Sequence, residues 1–190
     1  AAALGEAVWG CTQSVKNSIY ITVGTGVGVG VIIDGKPYHG MMHPEGGHIF
    51  VHRRPDDPMA KGICPYHGNC LEGLASGPAI ERRWGRKGVE LSDCLAVWEL
   101  EAYYIGQAIC TYICTLSPER IVVGGGVMHQ EQMLPLIRRE VRRQMHGYIQ
   151  GKGMDQLEEY IVPVSLGDNQ GVMGGVKLAM DAYTEAGGTL

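Results

Sequence analysis

The sequence predicts an α/β fold in which helices cover a mixed β-sheet, and it predicts a single domain over residues 1–190. Strand-like segments joined by Asp34-Gly35 come first, and this dipeptide is typical of an antiparallel hairpin. Helical and strand-like segments then alternate, which favours parallel strands connected by helices. A chain of 190 residues with 45% apolar residues is long enough to bury one core.

The first half of the chain is predicted as a short helix, a hairpin, an irregular loop and a second helical segment. Residues 18–23 (SIYITV) are β-branched and aromatic, which indicates a strand, and GTGVGVGVIIDGKPYHG continues the hairpin. Residues 43–73 are rich in Gly, Pro and Asn and form the loop. LEGLASGPAIERRWG is then helical, with Gly77-Pro78 interrupting it and Gly85 near its end.

In the second half, apolar residues recur at helical intervals over residues 92–116, with Ser92 and Asp93 available as caps. This pattern predicts a long, largely buried helix. PERIVVGGGVM is a strand that ends in three glycines, and residues 131–145 form the next helix. A strand over residues 160–164 and a helix in GDNQGVMGGVKLAMDAY complete the domain. The simplest role of Gly171, Gly174 and Gly175 in that helix is close helix packing.

Composition excludes several classes of function. The net charge is only -4, and acids and bases are interspersed, so no nucleic-acid partner is expected. Four arginines are paired in sequence at helical spacing, and a solvated helix face explains them best: they are Arg138, Arg139, Arg142 and Arg143. No stretch approaches the length of a transmembrane helix, and the opening AAALGEAVWG lacks the pattern of a signal peptide. We therefore expect no membrane partner, a cytoplasmic location and reduced cysteines.

The loop contains a candidate zinc site. Cys64, His67 and Cys70 lie three residues apart, and His48 upstream could complete a tetrahedral N/S ligand set, with His52 as the alternative. Cysteines are often buried simply as small apolar groups, but a Gly/Pro/Asn-rich loop is explained poorly by packing. HPEGGH is not the HExxH helix of metalloproteases, because its Glu does not follow the first His and its glycines and proline disfavour a helix.

Two carboxylates flank the candidate ligands. Glu45 lies just before His48 and Glu72 just after Cys70, so one bound ion would make both ends of the loop rigid. Hydrogen-bond acceptors that are held still in this way suit a polyhydroxylated ligand. The loop is therefore the strongest indication of function in the chain.

Two glycine-rich segments are candidates for binding a nucleotide. Thr25, Gly26 and Gly28 belong to a turn that leads from strand to strand, whereas Walker and dinucleotide loops lead into a helix. The turn can act as an anion nest for phosphate oxygens, and a plain hairpin remains an equal alternative. Gly124, Gly125 and Gly126 end a strand before a helix, which opens a crevice of the kind that binds nucleotides in α/β folds.

These segments together resemble the ROK family of sugar kinases and repressors, and more closely its bacterial fructokinase branch. The resemblance spans essentially all 190 residues. It is carried by AAALGEA, ITVGTGVGVGVIIDG, HPEGGH, CPYHGNCLEGLASGPAI and ERIVVGGGV, in that order. The glycine-rich strings are shared widely among actin-like sugar kinases, whereas HPEGGH followed by CPYHGNCLE is highly specific.

The resemblance implies the C-terminal lobe of the actin-like (RNase H-like) ATPase fold and a role for each candidate residue. Glu45, His48 and Glu72 would bind the sugar hydroxyls. A structural Zn²⁺ would be held by His48, Cys64, His67 and Cys70. Residues 25–28 would contact the phosphates of ATP, and Gly124, Gly125 and Gly126 would contact its adenosine.

The activity that the resemblance implies is phosphorylation of a hexose by ATP and Mg²⁺, with D-fructose converted to fructose 6-phosphate. Mannose and amino sugars remain alternative substrates. His67 stands where many glucokinases of the family have a ligand cysteine, and this difference favours the fructokinase branch. The family also leads us to expect a homodimer with the sugar and ATP as its small-molecule ligands.

Family members carry an N-terminal lobe with a first phosphate loop and a catalytic aspartate, in a string similar to N-D-x-N-A-A-A-L-G-E. This chain begins at AAALGE, so we expect the general base to lie upstream of Ala1 and the chain alone to be inactive. A sugar-sensing repressor with an upstream helix-turn-helix is the alternative from another class. A zinc-stabilised binding module without chemistry is a third.

Overall fold

The computed structural model describes residues 1–189 and confirms an α/β fold. Five strands form the sheet: β1 (Ser18–Val23), β2 (Val27–Ile33), β3 (Lys36–Pro37), β4 (Arg120–Gly124) and β5 (Ile161–Pro163). The helices are α1 (Ala2–Trp9), α2 (Leu71–Ala75), α3 (Gly77–Trp84), α4 (Leu95–Leu116), α5 (Met133–Met145), α6 (Lys152–Asp155), α7 (Leu157–Tyr160) and α8 (Gln170–Glu185). Short 3₁₀ turns at Gly46–His48, Gly88–Glu90 and Gly126–His129 lie between them.

The sheet is mixed, as the sequence predicts, with the strand order β3-β2-β1-β4-β5. β1 pairs with β2, and β2 with β3, in antiparallel fashion, whereas β1–β4 and β4–β5 are parallel. Asp34 and Gly35 both have positive φ, which is the conformation that an Asp-Gly hairpin turn requires. Because β1 and β4 are parallel neighbours, their carboxyl ends meet at one edge of the sheet.

Alternating side chains of β1 and β4 enter two separate cores. Ile19, Ile21 and Val23 of β1 pack in the larger core with α4 and α5, whereas Tyr20 packs on the opposite face with Leu4 of α1. The alternation follows from the two-residue period of a strand. Helix α8 covers α1, where a Cβ on Gly174 would lie 1.8 Å from the Ala1 carbonyl oxygen. Close helix packing is thus confirmed at Gly174, whereas a Cβ on Gly171 or Gly175 would have no atom within 4 Å.

Two element predictions needed correction. Helix α4 begins at Leu95 after Cys94 and has no side-chain cap, because the Ser92 hydroxyl donates to the Val89 carbonyl oxygen instead. The prediction that Ser92 or Asp93 caps this helix is therefore wrong. The last strand is shorter than predicted because Tyr160 ends helix α7.

The arginines of α5 are partly a solvated face, as predicted, but one of them has a structural role. Arg139 pairs with Glu99 at the surface, and the exposed Arg143 pairs with the buried carboxylate of Glu140. Half-buried Arg138 instead donates to the Ile161 and Glu158 carbonyl oxygens and joins α5 to the edge of the sheet.

The described residues also bear on membrane-spanning helices and on disulfides. No helix within residues 1–189 is long and apolar enough to cross a membrane. All six cysteines lie in this range, and all six are free thiols, as predicted.

Candidate functional site

The four predicted metal ligands converge. The ligand atoms of His48, Cys64, His67 and Cys70 all lie within 4.8 Å of one another. His48 Nδ1 is 3.8 Å from Cys64 Sγ and 3.5 Å from Cys70 Sγ, and His67 Nδ1 is 3.7 Å from Cys64 Sγ. His52, the alternative ligand, is not in this group, so the structure selects His48.

These spacings match the edges of a tetrahedral zinc site. With Zn–S bonds of about 2.3 Å and Zn–N bonds of about 2.0–2.1 Å, a tetrahedral site has S···N edges of about 3.6 Å. The three S···N distances lie between 3.5 and 3.8 Å. Two cysteines and two histidines are also a donor set that zinc prefers. The residues present therefore fit a structural zinc ion.

Local backbone geometry explains how the ligands meet. Cys70 is the N-cap of α2, and its Sγ accepts a hydrogen bond from Gly73 N at 3.4 Å. Gly68 has φ +60°, which lets the chain turn between His67 and Cys70. On the other side, Gly47 packs so tightly on β2 that a Cβ would lie 1.8 Å from the Val27 carbonyl oxygen. This contact seats the turn that carries His48.

The two thiols have different electrostatic surroundings. Burial raises the pKa of the Cys64 thiol, but backbone N–H groups of His67 and Tyr66 donate to it and outweigh burial, so the pKa is lowered. Burial raises the pKa of the Cys70 thiol to about 11. The pKa values of the two thiols are therefore shifted in opposite directions, and a bound cation would favour the thiolate form of both.

Glu72 connects the ligand cluster to the glycine turn. Its Oε2 accepts a hydrogen bond from Val27 N at 3.0 Å, and its Oε1 lies 3.9 Å from His48 Nε2. A Cβ on Gly26 would lie 2.7 Å from the same Oε2, so a larger residue there would displace this carboxylate. The carboxylate is half-buried, with 30% of its side chain exposed. Two predicted sites are therefore in contact through one side chain.

Glu45 is placed differently from Glu72. Its backbone carbonyl accepts a hydrogen bond from His48 N at 3.0 Å, which closes the turn. Its carboxylate is exposed and lies 3.0 Å from His43 Nε2. Glu45 is thus close to His48 along the chain but faces solvent.

The predicted glycines line two cavities at the carboxyl ends of β1 and β4. A cavity of about 340 Å³, with mainly apolar walls, contacts Gly24, Thr25 and Gly126. A second cavity of about 400 Å³ contacts Gly124, Gly125 and Gly126. Gly126 therefore separates the two. Gly28 of β2 pairs with Thr22 of β1, and neither Gly28 nor Gly26 lines either cavity.

Several cavity residues were not singled out from the sequence. Helix α3 enters the first cavity because Gly77 N donates to the Gly24 carbonyl oxygen at 2.7 Å. Pro78 and Glu81 of the same helix also line it, and the cavity is completed by residues from two further segments: Lys87, Val89 and Trp98. In the sequence, the Gly77-Pro78 pair indicated only an interruption of a helix. No motif around Lys87 indicated a binding site.

The family model of the ROK family matches residues 1–182. The chain belongs to the ROK family. Among its relatives, a fructokinase of Zymomonas mobilis is 46% identical over 183 residues, with 95% of this chain and 60% of the relative covered. A fructokinase of Pediococcus pentosaceus is 42% identical over 185 residues, with 97% and 63% covered. The chain thus spans about 60% of the length of these curated relatives.

Solved ROK structures share the fold. A ROK family glucokinase from Streptomyces griseus, in complex with glucose and AMPPNP, superposes with a TM-score of 0.74 at 26% identity. The superposition covers 93% of this chain and 64% of that one. The fold is therefore that of the actin-like ATPase architecture of ROK sugar kinases, as the resemblance implies.

Proposed function

We propose that the protein containing residues 1–190 phosphorylates a hexose with ATP, and that D-fructose, converted to fructose 6-phosphate, is its substrate. The fructokinases of Zymomonas mobilis and Pediococcus pentosaceus support the sugar, and the AMPPNP complex of the Streptomyces glucokinase supports the nucleotide. Mannose and amino sugars are the competing substrates.

The observation that carries this proposal is the position of Glu72 between the metal cluster and the glycine turn. Phosphoryl transfer needs the acceptor hydroxyl and the γ-phosphate held next to each other, since catalysis is mostly positioning and charge stabilisation. One side chain that contacts both His48 and Val27 fixes the two subsites at a short distance. A binding module without chemistry has no need of this arrangement.

In the proposed reaction, the oxygen of the terminal sugar hydroxyl attacks the γ-phosphorus of ATP. A P–O bond to the sugar forms, the bond to the β-phosphate oxygen breaks, and ADP leaves. Glu45, His48 and Glu72 would orient the hydroxyls, while Thr25 and Gly26 would face the phosphates. Mg²⁺ bound with ATP supplies charge neutralisation. By resemblance, the hydroxyl proton goes to an aspartate upstream of Ala1.

The adenosine would occupy the edge beside Gly124, Gly125 and Gly126. The cavity that contains Thr25 and Gly126 has apolar walls from Val89 and Trp98 and one cation, Lys87. An apolar slot with few polar groups suits a flat base. Lys87 could then balance phosphate charge at the mouth.

Zinc would have a structural role in this scheme. Four protein ligands leave no open coordination position, which is typical of structural sites. The ion would hold residues 48–70 in one conformation, so that His48 can present Nε2 toward the sugar and Glu72. Chelation should therefore loosen the loop and weaken sugar binding.

A coupled kinase assay of the full-length, zinc-loaded protein across fructose, mannose, glucosamine and glucose tests the proposal. We expect fructose to be the best substrate, and we expect residues 1–190 alone to show no useful turnover. Glu72→Gln keeps the acceptor for Val27 N but removes the charge, and kcat/KM should fall roughly 10- to 100-fold, as loss of a charged hydrogen-bond partner predicts.

Glu119→Gln is the matched control. Glu119 also accepts backbone hydrogen bonds, from Lys16 N at 2.9 Å and Asn17 N at 2.8 Å, but at the other end of the sheet. The Glu119→Gln variant should retain wild-type kinetics. Absence of ATP consumption with every hexose by the full-length protein would refute the proposed function.

A further inference from the structure

A buried aspartate lies in the middle of the loop between His48 and Cys64. Asp57 is 6% exposed, although charged loop residues ordinarily face solvent. Its Oδ1 accepts hydrogen bonds from Met59 N at 2.7 Å and Arg83 Nε at 2.9 Å. Its Oδ2 accepts one from the Tyr104 hydroxyl at 2.6 Å. Every acceptor oxygen of this carboxylate is therefore engaged inside the protein.

Arg83 connects this aspartate to three helices. It belongs to α3, its Nη1 donates to Glu101 Oε1 of α4 at 2.8 Å, and its Nη2 donates to the Leu74 carbonyl oxygen of α2 at 2.7 Å. The side chains of Arg83, Asp57 and Glu101 are completely shielded from solvent. The guanidinium also lies 5.6 Å from the centre of the Tyr104 ring. A planar guanidinium that makes several hydrogen bonds in such surroundings fixes its partners in position.

Helix α4 also holds the loop backbone just before Asp57. The Tyr104 hydroxyl accepts a hydrogen bond from Arg54 N at 3.1 Å. Gln107 bonds both backbone groups of His52, at 2.9 Å to the N–H and 3.0 Å to the carbonyl oxygen. Residues 52–57 are thus attached to α4 at three points.

This attachment is separate from the metal ligands. His48, Cys64, His67 and Cys70 hold the two ends of the loop, whereas Asp57 and its partners hold the middle. A loop of this length fixed only at its ends would retain conformational freedom between them. We propose that Asp57, Arg83 and Tyr104 form a second anchor of the loop that does not depend on metal, and that Arg83 is a positioning residue for the sugar site.

The charge balance supports this assignment. Burial raises the pKa of the Glu101 carboxyl to about 8, against the opposing effect of Arg83. Among residues 1–189, Glu101 Oε2 also has no hydrogen-bond partner. A protonated Glu101 leaves Arg83 and Asp57 as a matched buried ion pair. Removing either charge would leave the other buried and uncompensated.

The role of Arg83 at the sugar site rests on the proposed function, whereas the anchoring of the loop does not. The experiment therefore measures the two separately. In the full-length, zinc-loaded protein, Tyr104→Phe removes one hydroxyl and Arg83→Lys removes the planar fork. Tryptic cleavage after Arg53 and Lys61 reports opening of the loop. Tyr148→Phe, at an exposed tyrosine, and Arg139→Lys, at a surface ion pair, are the matched controls.

We expect both test variants to be cleaved in the loop about tenfold faster or more, the change that loss of a hydrogen bond to a charged group allows. Bound zinc should stay at wild-type stoichiometry. The KM for the sugar should rise at least about threefold while the KM for ATP stays within about twofold, because a positioning effect on one subsite changes KM selectively. The controls should match the wild type.

Cleavage rates and sugar KM equal to those of the controls would overturn the proposal, and so would loss of zinc together with loop opening, since the anchors would then not be independent. If Arg83→Lys yields no folded protein, Tyr104→Phe decides. Failure of the wild type to phosphorylate any hexose would refute the proposed function. The comparison of tryptic cleavage rates would still test whether Asp57, Arg83 and Tyr104 anchor the loop.

Discussion

Replacing Gly47 by alanine should disable the metal site without touching a ligand. The added Cβ would lie 1.8 Å from the Val27 carbonyl oxygen, and Cβ atoms essentially never approach another atom closer than 3.0 Å. The turn of Gly46–His48 must therefore move by at least 1.2 Å. The clashing oxygen belongs to the backbone of β2, a strand inside the sheet, so we expect the turn to move and β2 to stay in place.

The consequence for zinc can be estimated from this displacement. Zinc sites tolerate ligand distances within about 0.2 Å, and the shift at the residue before His48 is several times larger. Structural zinc binding is worth about 10–16 kcal/mol over four ligands, so weakening one ligand costs roughly 2.5–4 kcal/mol. This corresponds to a loss of about two to three orders of magnitude in affinity.

Competition with a chromophoric chelator measures this affinity directly, and thermal unfolding with and without EDTA measures its effect on stability. Gly171→Ala is the control, because a Cβ there meets nothing within 4 Å and the helix gains propensity. His67→Ala removes an exposed ligand and covers the case in which Gly47→Ala does not fold. Wild-type zinc affinity in a folded Gly47→Ala protein would show that the proposed seating of His48 on β2 is incorrect.

Two further predictions concern carboxylates. Because the pKa of Glu101 is raised to about 8 on folding, wild-type stability should fall as the pH rises toward 8, by up to about 1.4 kcal/mol per pH unit. Urea unfolding of Glu101→Gln should lack this slope, and parallel curves would contradict the prediction. Gly26→Ala would place a Cβ 2.7 Å from Glu72 Oε2, so it should displace that carboxylate and raise the KM for both substrates, measurable in the coupled assay. Unchanged KM values would contradict that contact.

The features that the sequence predicted well depend on local patterns. The hairpin follows from Asp34-Gly35, the break between α2 and α3 from Gly77-Pro78, and the ligand group from a three-residue spacing in one loop. Each signal lies within a few residues of the structure it specifies. Turn chemistry and ligand spacing are of this kind.

The features that the sequence could not predict are contacts between distant segments. Glu72 accepts from Val27 across 45 residues, and Arg83 reaches Asp57 across 26. Neither pair has a characteristic spacing, because its geometry is set by how helices pack on the sheet. The choice of His48 over His52 has the same origin: β2 fixes the first, and Gln107 of α4 binds the backbone of the second.

These distant contacts explain why so polar a segment can carry a precise site. The loop of residues 43–73 packs Ile49, Val51 and Met59 against the core, and further contacts hold it from three directions. Gly47 seats one end on β2, the Cys/His cluster closes that end onto α2, and Asp57 attaches the middle to α3 and α4. Glu72 lies where the first two meet and holds the backbone of the glycine turn. One hydrogen bond therefore joins the loop directly to the turn, which is the arrangement that the proposed transfer between two adjacent substrates needs.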